Sequence, residues 1–265
     1  IQYGDLGIYA CKMKSRDVKA TYEFLKKQNV NILGDISKNP NGDDHFYLRD
    51  LYGNVFEIVK AEDWFGKTNF TTGGSYGAVI GVTDMEKSIA FYSDILGFDK
   101  IIYDKEEIFS DTAVLTGGNN KSRRVLLAQS ESRRGPFSKL LGNGEIELVK
   151  VYDRTPNEIF ANRYWGDLGF IHLCFDIQSM DKMKTLCESK GYPFTVDSGN
   201  HFDMGEAAGH FSYIEDPDGA LIEFVETHKV PILKKFGWYL NLKKRDPNEA
   251  LPNWMVKAMG LNRVK

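Results

Sequence analysis

The stretch GDLGIYACKMKSRDVKATYEFLKKQNV, residues 4–30, aligns without a gap on GDLGFIHLCFDIQSMDKMKTLCESKGY, residues 166–192. Both copies begin with Gly-Asp-Leu-Gly, continue as a mostly apolar strand and then show the apolar spacing of an amphipathic helix. A third copy begins at YGAVIGVTDMEKSIAFYSDILGF, residues 76–98, where Asp84 stands at the position of a helix N-cap. Internal similarity over such a length predicts a repeated structural unit.

Each repeat continues with strands after its helix. NVNIL, HFYLRD and VFEIVK follow the first helix, and YPFTVD, FSYIED and ALIEFVE follow the last. In the middle repeat we assign KIIYD, TAVLTG, RRVLLAQ and EIELVKV to strands. The shared order is strand, helix and three further strands, βαβββ. We therefore predict modules at 1–66, 74–152 and 166–228, followed by a tail, 229–265, that packs on the modules.

Composition narrows the function classes. The 265 residues are 42% hydrophobic and carry a net charge of -3, which gives no reason to expect a nucleic-acid partner. No apolar run approaches the roughly 20 residues of a membrane helix. The three cysteines are scattered and suggest neither a disulfide framework nor a zinc knuckle. These features favour a cytoplasmic protein.

The βαβββ repeat, with VTDMEKSIAFYSDILGF at the head of one module and EDPDGALIEFVE at the foot of another, resembles the vicinal oxygen chelate superfamily. That superfamily includes glyoxalase I, extradiol dioxygenases and bleomycin-resistance proteins. The resemblance implies an α+β fold of tandem modules, paired so that curved mixed sheets enclose a cup. It implies that 74–152 pairs with 166–228. Module 1–66 then needs a partner, which we expect either N-terminal to Ile1 or across a homodimer.

The resemblance also implies metal ligands on the first and last strands of paired modules. The last-strand positions are Glu57, Glu147 and Glu223, and the first-strand positions are Ala10, Gly77 and His172. For the expected pair, the predicted metal ligands are Glu147, His172 and Glu223. Two carboxylates and an imidazole suit a divalent ion such as Zn, Ni, Mn, Co or Fe.

Gly77 and the first module depart from the family pattern. Gly77 stands where glyoxalase I-like members supply a fourth ligand, so the site either has room for a substrate group or marks a close backbone approach. Module 1–66 has no histidine on its cup face, and Lys12 is expected to form an ion pair with Glu57. We therefore interpret it as a structural module that has lost its metal site. The remaining histidines are predicted to lie in loops or on the surface: His45, His201, His210 and His228.

The resemblance implies a metal-dependent enzyme of the glyoxalase type, a lyase or isomerase. It would chelate adjacent oxygens of a small 2-oxo or 2-hydroxy carbonyl substrate, with Glu147 as the base and Tyr213 donating a hydrogen bond to a bound oxygen. Two alternatives stay open. An extradiol dioxygenase needs two histidines and one carboxylate on Fe(II), and Gly77 replaces the first histidine. A bleomycin-resistance-type protein would bind a planar molecule without metal.

Overall fold

The computed structural model describes residues 1–66, 69–199, 202–203 and 208–262. The chain divides into two compact units. Unit 1 comprises Ile1–Ser130, Asn143–Ile171 and Asp216–Ala220, and unit 2 comprises Glu131–Gly142, His172–Glu215 and Leu221–Lys265. None of the described helices is long and apolar enough to cross a lipid bilayer.

Unit 1 contains two βαβββ modules in one mixed sheet of eight strands. The elements are β1 (Gly7–Ser15), α1 (Val18–Lys27), β2 (Asn31–Lys38), β3 (Asp44–Arg49), β4 (Val55–Lys60), β5 (Thr72–Gly81), α2 (Met85–Asp94), β6 (Lys100–Glu107), β7 (Ser122–Ala128) and β8 (Glu145–Val151). The strand order is β2-β3-β4-β1-β5-β8-β7-β6. Each module contributes four adjacent strands, and the two first strands, β1 and β5, meet in an antiparallel pair at the centre.

This strand order corrects the expected pairing of 74–152 with 166–228. In the structure β5 pairs with β1, so the sheet joins the first module to the second. The physical reason lies in the register, because Ala10 faces Val79 and Cys11 faces Ala78 across the central pair. These small and branched side chains allow the two strands to approach closely and bury both.

Unit 2 contains most of the third module and the tail. Its elements are α3 (Ser138–Leu141), β9 (His172–Asp176), α4 (Met180–Ser189), β10 (Val196–Asp197), β11 (Phe202–Asp203), β12 (Ala208–Glu215), β13 (Leu221–Leu233), β14 (Trp238–Asn241) and α5 (Asn253–Met259). β13 lies between β12 and β14 and also pairs in parallel with β9. β13 runs past residue 228, and β14 and α5 follow it in the tail.

Polar side chains fix the starts of the helices. Asp84 accepts a hydrogen bond from the Lys87 amide at 3.1 Å, which confirms its predicted N-cap role in α2. Helix α4 has no capping side chain at Ser179. There the carboxylate of Glu226, on β13, accepts from the Ser179 and Met180 amides at 3.2 and 3.1 Å. A strand residue thus satisfies the first amides of a helix in the same unit.

One predicted strand is absent from the structure. Residues 112–117, TAVLTG, form consecutive turns rather than a strand. The buried Thr112 hydroxyl donates to the Phe109 and Gly118 carbonyls and holds these turns together. The strand propensity of these apolar residues is outweighed here by local hydrogen bonds from a side chain to the backbone. The turns also place Asp111 against the sheet.

Candidate functional site

A row of residues crosses the four central strands of unit 1 on one face. Lys12 on β1 lies opposite Glu57 on β4 and opposite Gly77 on β5, and Gly77 lies opposite Glu145 on β8. Residues directly opposite one another on paired strands point to the same face of a sheet. Glu147 is two residues beyond Glu145 and therefore points to that face as well.

The ammonium group of Lys12 sits among three carboxylates. Its Nζ lies 2.9 Å from Glu57 Oε2, 3.0 Å from Glu147 Oε2 and 3.1 Å from Glu145 Oε1. The Lys12 side chain is 1% exposed, and those of Glu57 and Glu147 are 0% exposed. Burial alone would lower the pKa of Lys12, but the three carboxylates hold it well above its usual value. Lys12 is therefore a buried ammonium cation, and its predicted ion pair with Glu57 is confirmed.

A second cation, Arg124 on β7, closes the cluster on the other side. Its Nε donates to Glu147 Oε1 at 2.6 Å, and its Nη1 donates to both carboxylate oxygens of Asp111 at 2.9 and 2.7 Å. His45 on β3 lies between two of these carboxylates, with Nδ1 2.7 Å from Glu57 Oε1 and Nε2 3.2 Å from Asp111 Oδ2. We call the seven groups the charge cluster: Lys12, His45, Glu57, Asp111, Arg124, Glu145 and Glu147.

The cluster shifts the pKa of its members in opposite directions. Burial raises the pKa of Glu147, but Arg124 and Lys12 outweigh it and hold that pKa well below its usual value. The pKa of Glu57 is likewise lowered, because Lys12 and His45 oppose the effect of burial. Burial lowers the pKa of His45, yet its hydrogen bonds to Asp111 and Glu57 raise it to about 9. For Glu145 burial prevails and raises the pKa.

Gly77 has a steric role in this row. A Cβ atom built on Gly77 would lie 1.8 Å from the carbonyl oxygen of Glu145, on the neighbouring strand β8. Of the two interpretations of Gly77, room for a substrate group or a close backbone approach, the structure therefore supports the close backbone approach. Because residue 77 has no side chain, the Lys12 ammonium can reach across it to Glu145 and Glu147.

We expect Gly77→Ala to destabilise the protein by about 1–3 kcal/mol or more, since the added methyl group forces β5 and β8 apart. Chemical denaturation followed by circular dichroism measures the change. Gly74→Ala is the matched control, because Gly74 lies on the same strand and a Cβ there meets nothing within 4 Å. Equal stabilities of the two variants would contradict the steric role.

A divalent ion does not fit the carboxylates of unit 1. Such an ion binds carboxylate oxygens at about 2.0–2.2 Å, and the position equidistant from these oxygens is taken by the Lys12 ammonium. Arg124 holds a further oxygen of Glu147. The charge that the resemblance assigned to a metal is supplied here by side chains.

In unit 2, the structure brings three of the predicted site residues together. His172 on β9 has Nε2 3.1 Å from Glu223 Oε2 on β13. The Tyr213 hydroxyl, on β12, donates to Glu223 Oε1 at 2.7 Å. The rings of His172 and Tyr213 meet edge to face, with centroids 5.6 Å apart. All three side chains belong to one sheet, because β9, β13 and β12 are neighbours.

A metal ion fits the His172–Glu223 pair in terms of donor chemistry. Two adjacent ligands with bonds of about 2.1 Å are separated by about 3 Å, which matches the distance between Nε2 and Oε2. The same distance suits a hydrogen bond. Within the described ranges, no group of three or more histidine, cysteine, aspartate or glutamate side chains is arranged to hold a metal ion.

The predicted third ligand, Glu147, lies in unit 1, whereas His172 and Glu223 lie in unit 2. Its carboxylate contacts Lys12 and Arg124, and these two cations supply its counter-charge. The carboxylate is 0% exposed and held by two cations, which also leaves it unsuited to the predicted role of a mobile base.

The histidines outside the predicted site also require a correction. His45, His210 and His228 are buried on strands β3, β12 and β13, rather than lying in loops or on the surface. Each faces a carboxylate: His210 Nε2 is 2.5 Å from Asp197, and His228 Nε2 is 3.5 Å from Glu226. A buried imidazole needs such a polar partner. His201 lies outside the described residues.

A family comparison agrees with this architecture. The model of the Glyoxalase/Bleomycin resistance protein/Dioxygenase superfamily matches residues 77–224, more than half of the chain. The chain belongs to this superfamily. The matched range runs from β5 of the second module into β13 of the third, and the α+β class with tandem βαβββ modules is confirmed. No curated protein matches the sequence.

Solved structures of the superfamily share the fold at low sequence identity. Glyoxalase I from Zea mays has a TM-score of 0.54 and 16% identity, covering 84% of this chain and 68% of its own. A putative dioxygenase from Bacillus subtilis has a TM-score of 0.54 and 14% identity, covering 85% of this chain and 63% of its own. At such identities the likeness concerns the fold alone.

Sequence reasoning missed four members of the charge cluster of this glyoxalase-superfamily protein: His45, Asp111, Arg124 and Glu145. A usable signal existed for one of them. In SRRVLLA, Arg124 alternates with Leu126 and Ala128 on one face of a strand, and a buried arginine requires a carboxylate partner. For Asp111 no local pattern indicates burial, because it is placed by turns in a segment that reads as a strand.

Proposed function

We propose that the sheet face of unit 1 binds a small molecule without a metal ion, as bleomycin-resistance-type members of the superfamily are expected to do. The observation that carries the proposal is the Lys12 ammonium, which lies within 3.1 Å of three carboxylates, one of them that of the predicted ligand Glu147. The alternative that the sequence left open is thus favoured for this unit over metal-dependent chemistry.

The charges of the cluster support this proposal. Lys12, His45 and Arg124 supply three positive charges that face the carboxylates of Glu57, Asp111, Glu145 and Glu147. Such a cluster is close to neutral overall. A divalent cation would add two positive charges beside a buried ammonium and guanidinium, and like charges at these distances repel strongly in a poorly hydrated interior.

Gly77 argues against the extradiol alternative in unit 1. Iron in that class is held by two histidines and one carboxylate. The position of the first histidine is Gly77, where even a Cβ would lie 1.8 Å from a backbone oxygen. An imidazole therefore cannot be accommodated there without moving β8.

Metal-dependent chemistry of the glyoxalase type is the second candidate, and it belongs to unit 2. The 3.1 Å distance between His172 Nε2 and Glu223 Oε2 favours it, and these two residues would hold the ion. A bound divalent ion would polarise the adjacent oxygens of a 2-oxo or 2-hydroxy carbonyl substrate. Tyr213 orients the Glu223 carboxylate through its hydroxyl. Burial and the hydrogen bond to Glu223 raise the pKa of Tyr213 well above its usual value, so this hydroxyl remains a proton donor at neutral pH.

Metal analysis of protein purified without chelator tests both candidates. We expect that any bound metal is lost in His172→Ala and Glu223→Ala and is unaffected in Glu147→Gln. His210→Ala, which removes a histidine from the same unit, serves as the matched control. Metal that disappears in Glu147→Gln but persists in His172→Ala would refute the metal-free assignment of unit 1.

A further inference from the structure

A cleft of about 360 Å³ opens in unit 1. Its walls come from the starts of β1 and β4, the end of β3 and the segment before β9. The residues that matter for its chemistry are Ile8, Tyr9, Arg49, Val55, Ile159 and Phe170. The volume lies in the range of small-molecule sites, about 300–1,000 Å³.

The cleft contains one guanidinium group without a counter-charge. Arg49 is the last residue of β3, and its Nε is buried yet has no hydrogen-bond acceptor among the described groups. No described carboxylate lies within ion-pair distance of it, in contrast to Arg124 and Arg154, which each contact a carboxylate. A buried arginine nitrogen without an acceptor is costly, unless a ligand supplies the acceptor.

Most of the other side chains that line the cleft are apolar. Ile8, Val55, Ile159 and Phe170 line the same cleft as Arg49, and Phe170 makes an edge-to-face contact with Phe56 at 5.4 Å between ring centroids. Burial raises the pKa of Tyr9 to about 12, so its hydroxyl stays neutral and can donate a hydrogen bond. One planar cation in an apolar cleft matches a molecule with one carboxylate and an apolar body.

We propose that this cleft binds a small aromatic monocarboxylate, with Arg49 pairing with the carboxylate and the apolar walls enclosing the ring. The proposal rests on the proposed metal-free binding by unit 1 and names the class of its ligand. The planar guanidinium can donate two parallel hydrogen bonds to the two carboxylate oxygens. The charge cluster takes no part in this contact, because its own charges are mutually paired.

The test is calorimetric titration of the intact, chelator-treated protein with phenylpyruvate and with phenylacetone, which has the same ring and ketone but no carboxylate. We expect phenylpyruvate to bind, and Arg49→Met to weaken it by about 10- to 100-fold. Arg49→Lys should fall between the two, because it keeps the charge and loses the planar fork. Arg16→Met removes an equal charge from the same unit, where Arg16 covers the Trp64 ring, and should change nothing.

Each other outcome also decides the matter. Undiminished phenylpyruvate binding in a folded Arg49→Met protein would overturn the proposal, as would the absence of binding in wild type. If Arg49→Met does not fold, the comparison of the two ligands on the wild-type protein is the test. Equal affinities for phenylpyruvate and phenylacetone would then overturn the role of the guanidinium. If binding needs metal and is lost only on chelation, the metal-free function fails, whereas the Arg49 comparison in metal-loaded protein still tests the cleft.

Discussion

Replacing Lys12 by alanine is expected to destabilise the protein by about 3–5 kcal/mol, because it leaves buried carboxylates without one of their cations. The loss is large since Glu57 and Glu147 are fully buried and cannot be rehydrated without opening the sheet. Urea denaturation at pH 7 measures it. In this variant Glu57 still contacts His45 and Glu147 still contacts Arg124. We therefore expect a folded protein of lower stability.

The same variant is expected to gain a metal site. Removing the ammonium leaves three carboxylates around a space in which Mn²⁺ or Zn²⁺ can be coordinated. Metal at about 100 times its dissociation constant stabilises a folded protein by about 2.7 kcal/mol. Lys12→Ala should therefore melt at a higher temperature with added metal, whereas the wild type should not.

Two comparisons isolate this effect. Lys12→Met fills the space with an uncharged side chain and should lose stability without metal rescue. Lys60→Ala removes an exposed lysine whose partner is Glu62 at 2.8 Å, and surface pairs of this kind contribute only about 0–1 kcal/mol. Equal shifts in melting temperature on adding metal to wild type and Lys12→Ala would contradict the view that the Lys12 ammonium fills a space in which a metal ion could otherwise bind.

Stability is also expected to fall by about 3 kcal/mol as pH rises from 6.5 through 9, because of His45. The pKa of His45 is 6.5 in the unfolded reference and about 9 in the folded protein. A raised histidine pKa contributes stability that is fully present below 6.5 and is lost as pH rises through 9. Denaturation curves at several pH values give the slope.

His45→Gln is the variant that should remove this slope, since glutamine has no titration in this range. Lys38→Gln is the matched control, because Lys38 lies on the neighbouring strand and pairs at the surface with Asp44, outside the charge cluster. A slope that persists in His45→Gln would show that another group causes it.

The acidic side of the same profile has the opposite sign. The pKa values of Glu57, Asp111 and Glu147 are lowered in the folded state. Their contributions are present above the unfolded values of 3.8 for Asp and 4.5 for Glu, and they are lost as pH falls through the lower folded values. Glu145, whose pKa is raised, acts in the opposite direction. We expect greatest stability between about pH 4.5 and 6.5.

The sequence was sufficient for the repeats and for the local elements. Apolar periodicity and the N-cap at Asp84 indicate the βαβββ order, and these signals act within about 20 residues. The choice of module partner could not be predicted in this way. It depends on the contact of β1 with β5, which are separated along the chain by the rest of the first module.

In the site, too, the sequence indicates the individual residues but not which residues they contact. Glu147 and Glu223 occupy the same sequence setting, each between apolar residues in a last strand. Their partners differ entirely, because Glu147 contacts Lys12 and Arg124, whereas Glu223 contacts His172 and Tyr213. The role of each carboxylate is set by residues on neighbouring strands, and no pattern within its own strand reveals them. The strand pattern predicts only two of these contacts, that of Lys12 with Glu57 and that of His172 with Glu223.

Lys12, at the centre of unit 1, is part of the polypeptide, so every copy of the protein contains this cation. It cannot be stripped by chelating agents, exchanged for a competing ion or left out when trace elements are scarce. The charge cluster of unit 1 should therefore form equally well in metal-starved and metal-replete cells, because every folded molecule carries the Lys12 ammonium at its centre.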